Sequence, residues 1–239
     1  MKQKKVLVLI VIVFLNSMSI YAQEDCLGLL KGMLKKMSVR DGNTSCFIDY
    51  QVRSKPSRKG MPESTLRVKM KADDDQVEVI SSEVEAYQDK QYSFMVIPSR
   101  KAIYWGDSQL NNTDSSDRNE LLQLQTKALE RCTIKSCKEV NSNSNYDKEI
   151  ILAPDEKIRT GSGIKSISYF INTKKNTLYK TLFTYSKGKL EYAELTFFSI
   201  EYGKSMRSYP VKSKFLTAQG KLLSKYAGYG LVDVRAKRK

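Results

Sequence analysis

Hydrophobic and polar positions alternate with period two over much of the chain, and this pattern predicts strands. In 46–52, Cys46, Ile48, Tyr50 and Val52 alternate with Phe47, Asp49 and Gln51. In 65–71, Leu66, Val68 and Met70 alternate with Arg67, Lys69 and Lys71. Further strands are expected at 77–81, 83–88, 92–97, 101–105, 148–152, 164–172, 177–185 and 189–202. Two segments follow a helical period instead. Leu27, Leu30, Leu34 and Met37 predict an amphipathic helix over 24–38, with Asp25 as its cap. Asp117 and Glu120 stand at capping-box spacing before Leu121, Leu124, Ala128 and Leu129 and predict a second helix. The region after residue 210 reads as a hairpin turning at Gly220 or as a short helix before a strand at 230–235, and strands are preferred.

The stretch "KGKLEYAELTFFSIEY", residues 187–202, breaks the rule of one wet face. Strict alternation puts Leu190, Tyr192, Phe198 and Ile200 on one side and Ala193, Leu195 and Phe197 on the other. Residues 177–185 share the trait, with Leu178 and Leu182 opposite Tyr179, Phe183 and Tyr185. Two architectures account for this. A curved sheet could pack one face on a helix and line an apolar cavity with the other, or a central strand could be sandwiched between two layers.

The fold class expected is mainly β: a curved antiparallel sheet forming an unclosed half-barrel, with the N-terminal and mid-chain helices packed on or in it. If a cavity exists, Leu182, Phe183, Tyr185, Leu195, Phe197 and Phe198 are its candidate ligand-binding residues.

Composition changes the picture at the N-terminus. Lys2, Lys4 and Lys5 precede an apolar run from Val6 to Leu15, and Ala22 offers a cleavage position. This is the three-part pattern of a secretory signal peptide over residues 1–22. The run is too short for a span, which needs about 20 apolar residues. Residues 23–239 are then one half-barrel domain with a helical insertion near 107–147, and the mature protein is periplasmic or secreted.

Four cysteines agree with an oxidising compartment. Spacing favours disulfides Cys26–Cys46 and Cys132–Cys137. A zinc site is not expected, since no histidine accompanies the four cysteines.

The formal net charge is +15 over 239 residues. Arg67, Lys69 and Lys71 share one strand face and form the candidate basic surface. An exported basic protein meets anionic membrane, glycolipid or acidic polymer rather than nucleic acid.

The absence of histidine removes Ser-His-Asp and Cys-His nucleophilic sites. "GSG" at 161–163 lacks the context of a phosphate loop, and "DDD" at 73–75 is a turn rather than a calcium loop. No catalytic residues, metal or cofactor are expected, and the protein is not expected to be an enzyme.

The order of elements is similar to that of the periplasmic lipoprotein-carrier superfamily of LolA and LolB type. The likeness in wording is confined to "YFINTKKNTLYKTLFTYSKGKLEYAELTFF", residues 169–198. The resemblance implies an unclosed barrel lidded by helices, an envelope location and an acylated ligand. The family's arginine–proline stretch has no counterpart in "VIPSRKAIYW", so no functional residue is carried over. Two functions stay open: a carrier or sensor of a lipid-like or acylated ligand, and a non-enzymatic structural or interaction protein docking on acidic envelope components.

Overall fold

The computed structural model describes residues 25–34, 45–73, 75–108, 110, 129–140, 145–203 and 209–235. The signal segment 1–22 and residues 117–128 of the expected second helix lie outside them, while Leu129 at its end is helical and buried. The chain is mainly β, with an unclosed sheet and few helices, the half-barrel class expected. It divides into two compact units: residues 1–38 with 126–188, and 39–125 with 189–239.

The larger unit contains β1 (Cys46–Pro56), β2 (Ser64–Ala72), β3 (Gln76–Ser81), β4 (Glu85–Asp89), β5 (Tyr92–Ile97), β6 (Ala102–Asp107), β11 (Leu190–Tyr202) and β12 (Gly230–Asp233). Their order is β12-β6-β5-β4-β3-β2-β1-β11. Consecutive strands form an antiparallel meander, and β11 returns to pair with β1. One pair departs from the antiparallel pattern, since β12 runs parallel to β6.

The preferred reading of the C-terminus as strands is also corrected. A short helix, Val211–Phe215, precedes the strand Gly230–Asp233. It is labelled α3, after α1 (residues 25–34) and α2 (Glu156–Ser162) of the smaller unit. Gly220 does turn the chain (φ 77°), but only a single bridge, Leu216 to Leu222, closes around it. The helix wins because it seats Val211 and Phe215 against the sheet. Phe215 stacks on Phe94 with ring centroids 4.5 Å apart and meets Tyr87 edge-on at 5.4 Å. Val96, Ile103, Trp105 and Leu216 complete this core. The Asp89 carboxylate accepts from Val211 N–H at 2.7 Å, which satisfies a donor at the helix start.

The smaller unit contains α1 (residues 25–34), β7 (Cys132–Glu139), β8 (Lys148–Pro154), α2 (Glu156–Ser162), β9 (Ile164–Asn172) and β10 (Thr177–Tyr185). Its strands run in the order β10-β9-β8-β7. Ile150, Leu152, Ile167, Tyr169, Ile171 and Leu178 are buried on one sheet face. Cys137 shares that face through its register with Ile150.

Cys26 of α1 is bonded to Cys137, so the expected pairing 26–46 and 132–137 is overturned. Cys132 and Cys137 lie on one strand rather than at a helix end. A β-strand cannot fold back on itself over five residues, whereas α1 brings Cys26 to the sheet face with Leu30 and Met33 buried beside it. α2 is capped at both ends. Asp155 accepts from Ile158 N–H at 2.8 Å, and Gly163 takes φ 75°. A Cβ at Gly163 would lie 2.5 Å from the Lys187 carbonyl oxygen.

Candidate ligand-binding face

Register settles which side chains of β11 share a face. Ile200, Phe197, Leu195 and Ala193 pair with Ile48, Tyr50, Val52 and Ser54. Glu201, Ser199, Thr196, Glu194 and Tyr192 pair with Phe47, Asp49, Gln51, Arg53 and Lys55. The pairing shifts by one residue at Phe198 and again at Glu191. Each shift is a β-bulge, and a bulge reverses the alternation of everything beyond it. Residues 189–202 are therefore not apolar on both faces, and that expectation is corrected. Two bulges bring Leu190, Ala193, Leu195, Phe197 and Ile200 to one side.

The apolar face continues through the neighbouring strands. Leu66, Val68, Met70 and Ala72 of β2 stand beside Val52, Tyr50, Ile48 and Cys46, and Val77 and Val79 of β3 extend the row. Cys46, Ile48, Val68 and Ala72 are buried. Toward the other end, Tyr50, Val52, Leu66, Leu195 and Phe197 are only half-buried. Tyr50 and Phe197 rings meet at 5.9 Å. Burial pushes the Tyr50 phenol up, and it pushes Tyr202 at the buried end up to about 12. On β1 and β2 the row gives way to a polar pair, where Ser54 Oγ and Ser64 Oγ lie 2.8 Å apart, while Pro56 and Leu190 follow beyond it.

The opposite face of these three strands is charged. Arg67 donates two hydrogen bonds to the Asp49 carboxylate, at 2.9 and 2.8 Å. The Arg67 guanidinium holds the Asp49 carboxyl below its ordinary value, against the opposing effect of burial. Arg53 lies 3.1 Å from Glu194, and Lys55 lies 2.7 Å from Glu191. Tyr192 donates its hydroxyl to Glu63. Farther along, on β4 to β6, this same side turns apolar with Tyr87, Phe94, Val96, Ile103 and Trp105, and there the C-terminal segment covers it.

Leu195 and Phe197 share the apolar face of the larger unit. Phe198, at the bulge, is 53% exposed and its ring lies 4.6 Å from the Arg67 guanidinium, on the charged side. Leu182, Phe183 and Tyr185 belong to β10 of the smaller unit. A bulge at Tyr179 sets Phe183 and Tyr185 on the face of Leu178, and Leu182 on the other. Arg67, Lys69 and Lys71 are exposed on one face of β2, as their spacing implies. Arg67 is tied to Asp49, and the Lys71 ammonium lies 5.9 Å from the Phe47 ring centroid. Tyr50, Val52 and Leu66 were not among the candidates. Their alternation is plain, but Tyr50 and Val52 meet Phe197 and Leu195 only through a pairing about 140 residues away in sequence, and Leu66 joins the row through Val52.

No family model matches the chain, and no curated protein matches it. Among solved structures it is similar to an uncharacterized conserved protein from Thermus thermophilus, with 10% identity and a TM-score of 0.44 over 89% of this chain and 99% of that one. It is similar to a putative outer membrane lipoprotein-sorting protein domain from Vibrio parahaemolyticus, with 10% identity and a TM-score of 0.32 over 75% and 93% of the two chains. It is also similar to a LolA superfamily protein from Nitrosomonas europaea, with 10% identity and a TM-score of 0.31 over 75% and 94%. The LolA-like resemblance of the sequence thus recurs among structures as a weak one. No residue role is carried across from these proteins.

Proposed function

We propose that the protein is an exported, non-enzymatic binder of a lipid-like or acylated ligand, taken up on the apolar face of β2, β1 and β11. The observation that carries the reading is the half-buried row Tyr50, Val52, Leu66, Leu195 and Phe197. Apolar side chains left partly in water on an ordered sheet gain from an apolar partner, by about 25 cal/mol per Å² covered. The Cys26–Cys137 disulfide supports an oxidising compartment. The N-terminal signal pattern supports export.

The alternative, docking through a basic surface, draws less support. Arg53, Lys55 and Arg67 each lie against a carboxylate, so much of the local positive charge is neutralised.

Titration of the mature protein with a fluorescent fatty-acid analogue tests the reading. Saturable binding is expected, weakened at least about tenfold by Leu195→Asp, which buries a charge. Thr196→Asp, one residue away on the charged side, should leave binding unchanged. Absence of uptake by the folded wild-type protein would overturn the proposal.

A further inference from the structure

The apolar stripe has two unlike ends, and the difference points to the chemistry of the ligand. At one end, Cys46, Ile48, Val68 and Ala72 are buried, so no polar head group fits there. At the other end, Val52 gives way to Ser54 and Leu66 gives way to Ser64, and the two hydroxyls meet at 2.8 Å on the same face. From Ile48 to Ser54 the stripe runs six residues, about 20 Å at ~3.4 Å per residue. Beyond the serines Pro56 and Leu190 continue this face beside β11, and residues 57–63 then join β1 to β2 as an exposed turn carrying Arg58 and Lys59. The carboxylates of this end are engaged elsewhere. Glu63 takes the Tyr192 hydroxyl, whose residue faces the charged side, and Glu191 pairs with Lys55.

We infer that the ligand of the apolar face is an anionic amphiphile. Its carboxylate or phosphate head group is held by the Ser54 and Ser64 hydroxyls and by Arg58 and Lys59, and its acyl chain runs toward Ile48. This rests on the lipid-like reading above and narrows it. Hydroxyls donate to an anionic oxygen, and the two cations supply charge at a solvent boundary. A cationic head group would meet Arg58 and Lys59 as like charges.

The test compares amphiphiles of one chain length below their micellar concentrations: dodecanoate, dodecyl phosphate, dodecyl maltoside and dodecyltrimethylammonium. Each displaces the fluorescent fatty-acid analogue or is titrated calorimetrically. Dodecanoate or dodecyl phosphate should bind roughly tenfold tighter than the neutral and cationic compounds, and which of the two leads distinguishes a carboxylate from a phosphate ligand. Arg58→Glu/Lys59→Glu should abolish the preference while the neutral compound still binds. Ser54→Ala/Ser64→Ala should reduce it. Lys174→Glu/Lys175→Glu, an equal charge change in the exposed turn between β9 and β10, should not.

Equal binding of all head groups would overturn this inference and leave the lipid-like reading standing. Equal loss in both charge-reversal variants would overturn it too, because long-range charge would then account for the preference. Failure of every amphiphile to bind would overturn both.

Discussion

Phe198 and Phe94 are the same residue type in opposite situations. The Phe198 ring is mostly in water beside the Arg67 guanidinium, whereas Phe94 is 1% exposed between Phe215 and Trp105. Phe94→Ala should therefore cost about 3–5 kcal/mol through lost transfer energy and a residual cavity. Phe198→Ala should cost at most about 1 kcal/mol, the worth of an exposed cation–π contact. Urea unfolding of both variants checks this, and comparable losses would contradict the placement of Phe198. Tyr169 offers a pH-dependent test. Burial first, and the nearby Cys132 second, push its phenol from 10.0 up to about 12. The folded state then holds its proton where the unfolded state has lost it, so stability falls as pH rises from 10 toward 12. Two pH units correspond to about 2.7 kcal/mol. Tyr169→Phe should unfold with a correspondingly weaker decline over that window, measured as urea midpoints at pH 9, 10, 11 and 12. An identical decline in the variant would remove Tyr169 as a source.

At the scale of elements, bulges decide the chemistry of β11. Deleting Phe198 removes the extra residue and leaves every other side chain on its present face, so the protein should still unfold cooperatively near its wild-type midpoint. Deleting Glu194 costs an ion pair worth at most about 1 kcal/mol, but it also turns Leu195 and Phe197 to the charged side, or else strains the register. The expected result is a much larger loss for the Glu194 deletion, and equal losses would count against the bulge. The strands from 46 to 105 and from 148 to 202 were legible because a clean period of two sets them. Bulges were not legible, since they arise from pairing with a partner strand and leave no mark in the alternation itself. For the same reason β7 was missed: Thr133, Lys135, Ser136 and Lys138 mask its one apolar row, and Lys135 sits at a bulge. The Asp155 cap and Gly163 of α2 did carry a readable signal. The disulfide was misassigned because proximity in sequence says nothing of which face a strand presents. Peptide mapping should find Cys26 linked to Cys137. The loop it closes spans 111 residues, and in the chain-entropy model it contributes about 4.7 kcal/mol. A thermal midpoint unchanged by Cys137→Ser would contradict that contribution.

For the whole molecule, the apolar residues on both sides of β11's strict alternation reflect its two bulges rather than a cavity face or a sandwiched strand. In the larger unit both sides of the sheet carry apolar rows, but on different strands. One row, on β4 to β6, is filled by Val211, Phe215 and Leu216. The other, on β2, β1 and β11, is half-buried and carries two serines near the basic turn that joins β1 to β2. Of the six ligand-binding candidates read from the sequence, Leu195 and Phe197 stand on that second row. Their partners Tyr50, Val52 and Leu66 come from strands that only the folded register brings alongside.

Photo-crosslinking with a diazirine-bearing fatty acid, mapped by mass spectrometry, tests the central claim most directly. Adducts are predicted on Tyr50, Val52, Leu66, Leu195 or Phe197, and competition by unlabelled dodecanoate should remove them. Adducts confined to Tyr192, Thr196 or Phe198 on the charged side, or none that compete, would contradict the account.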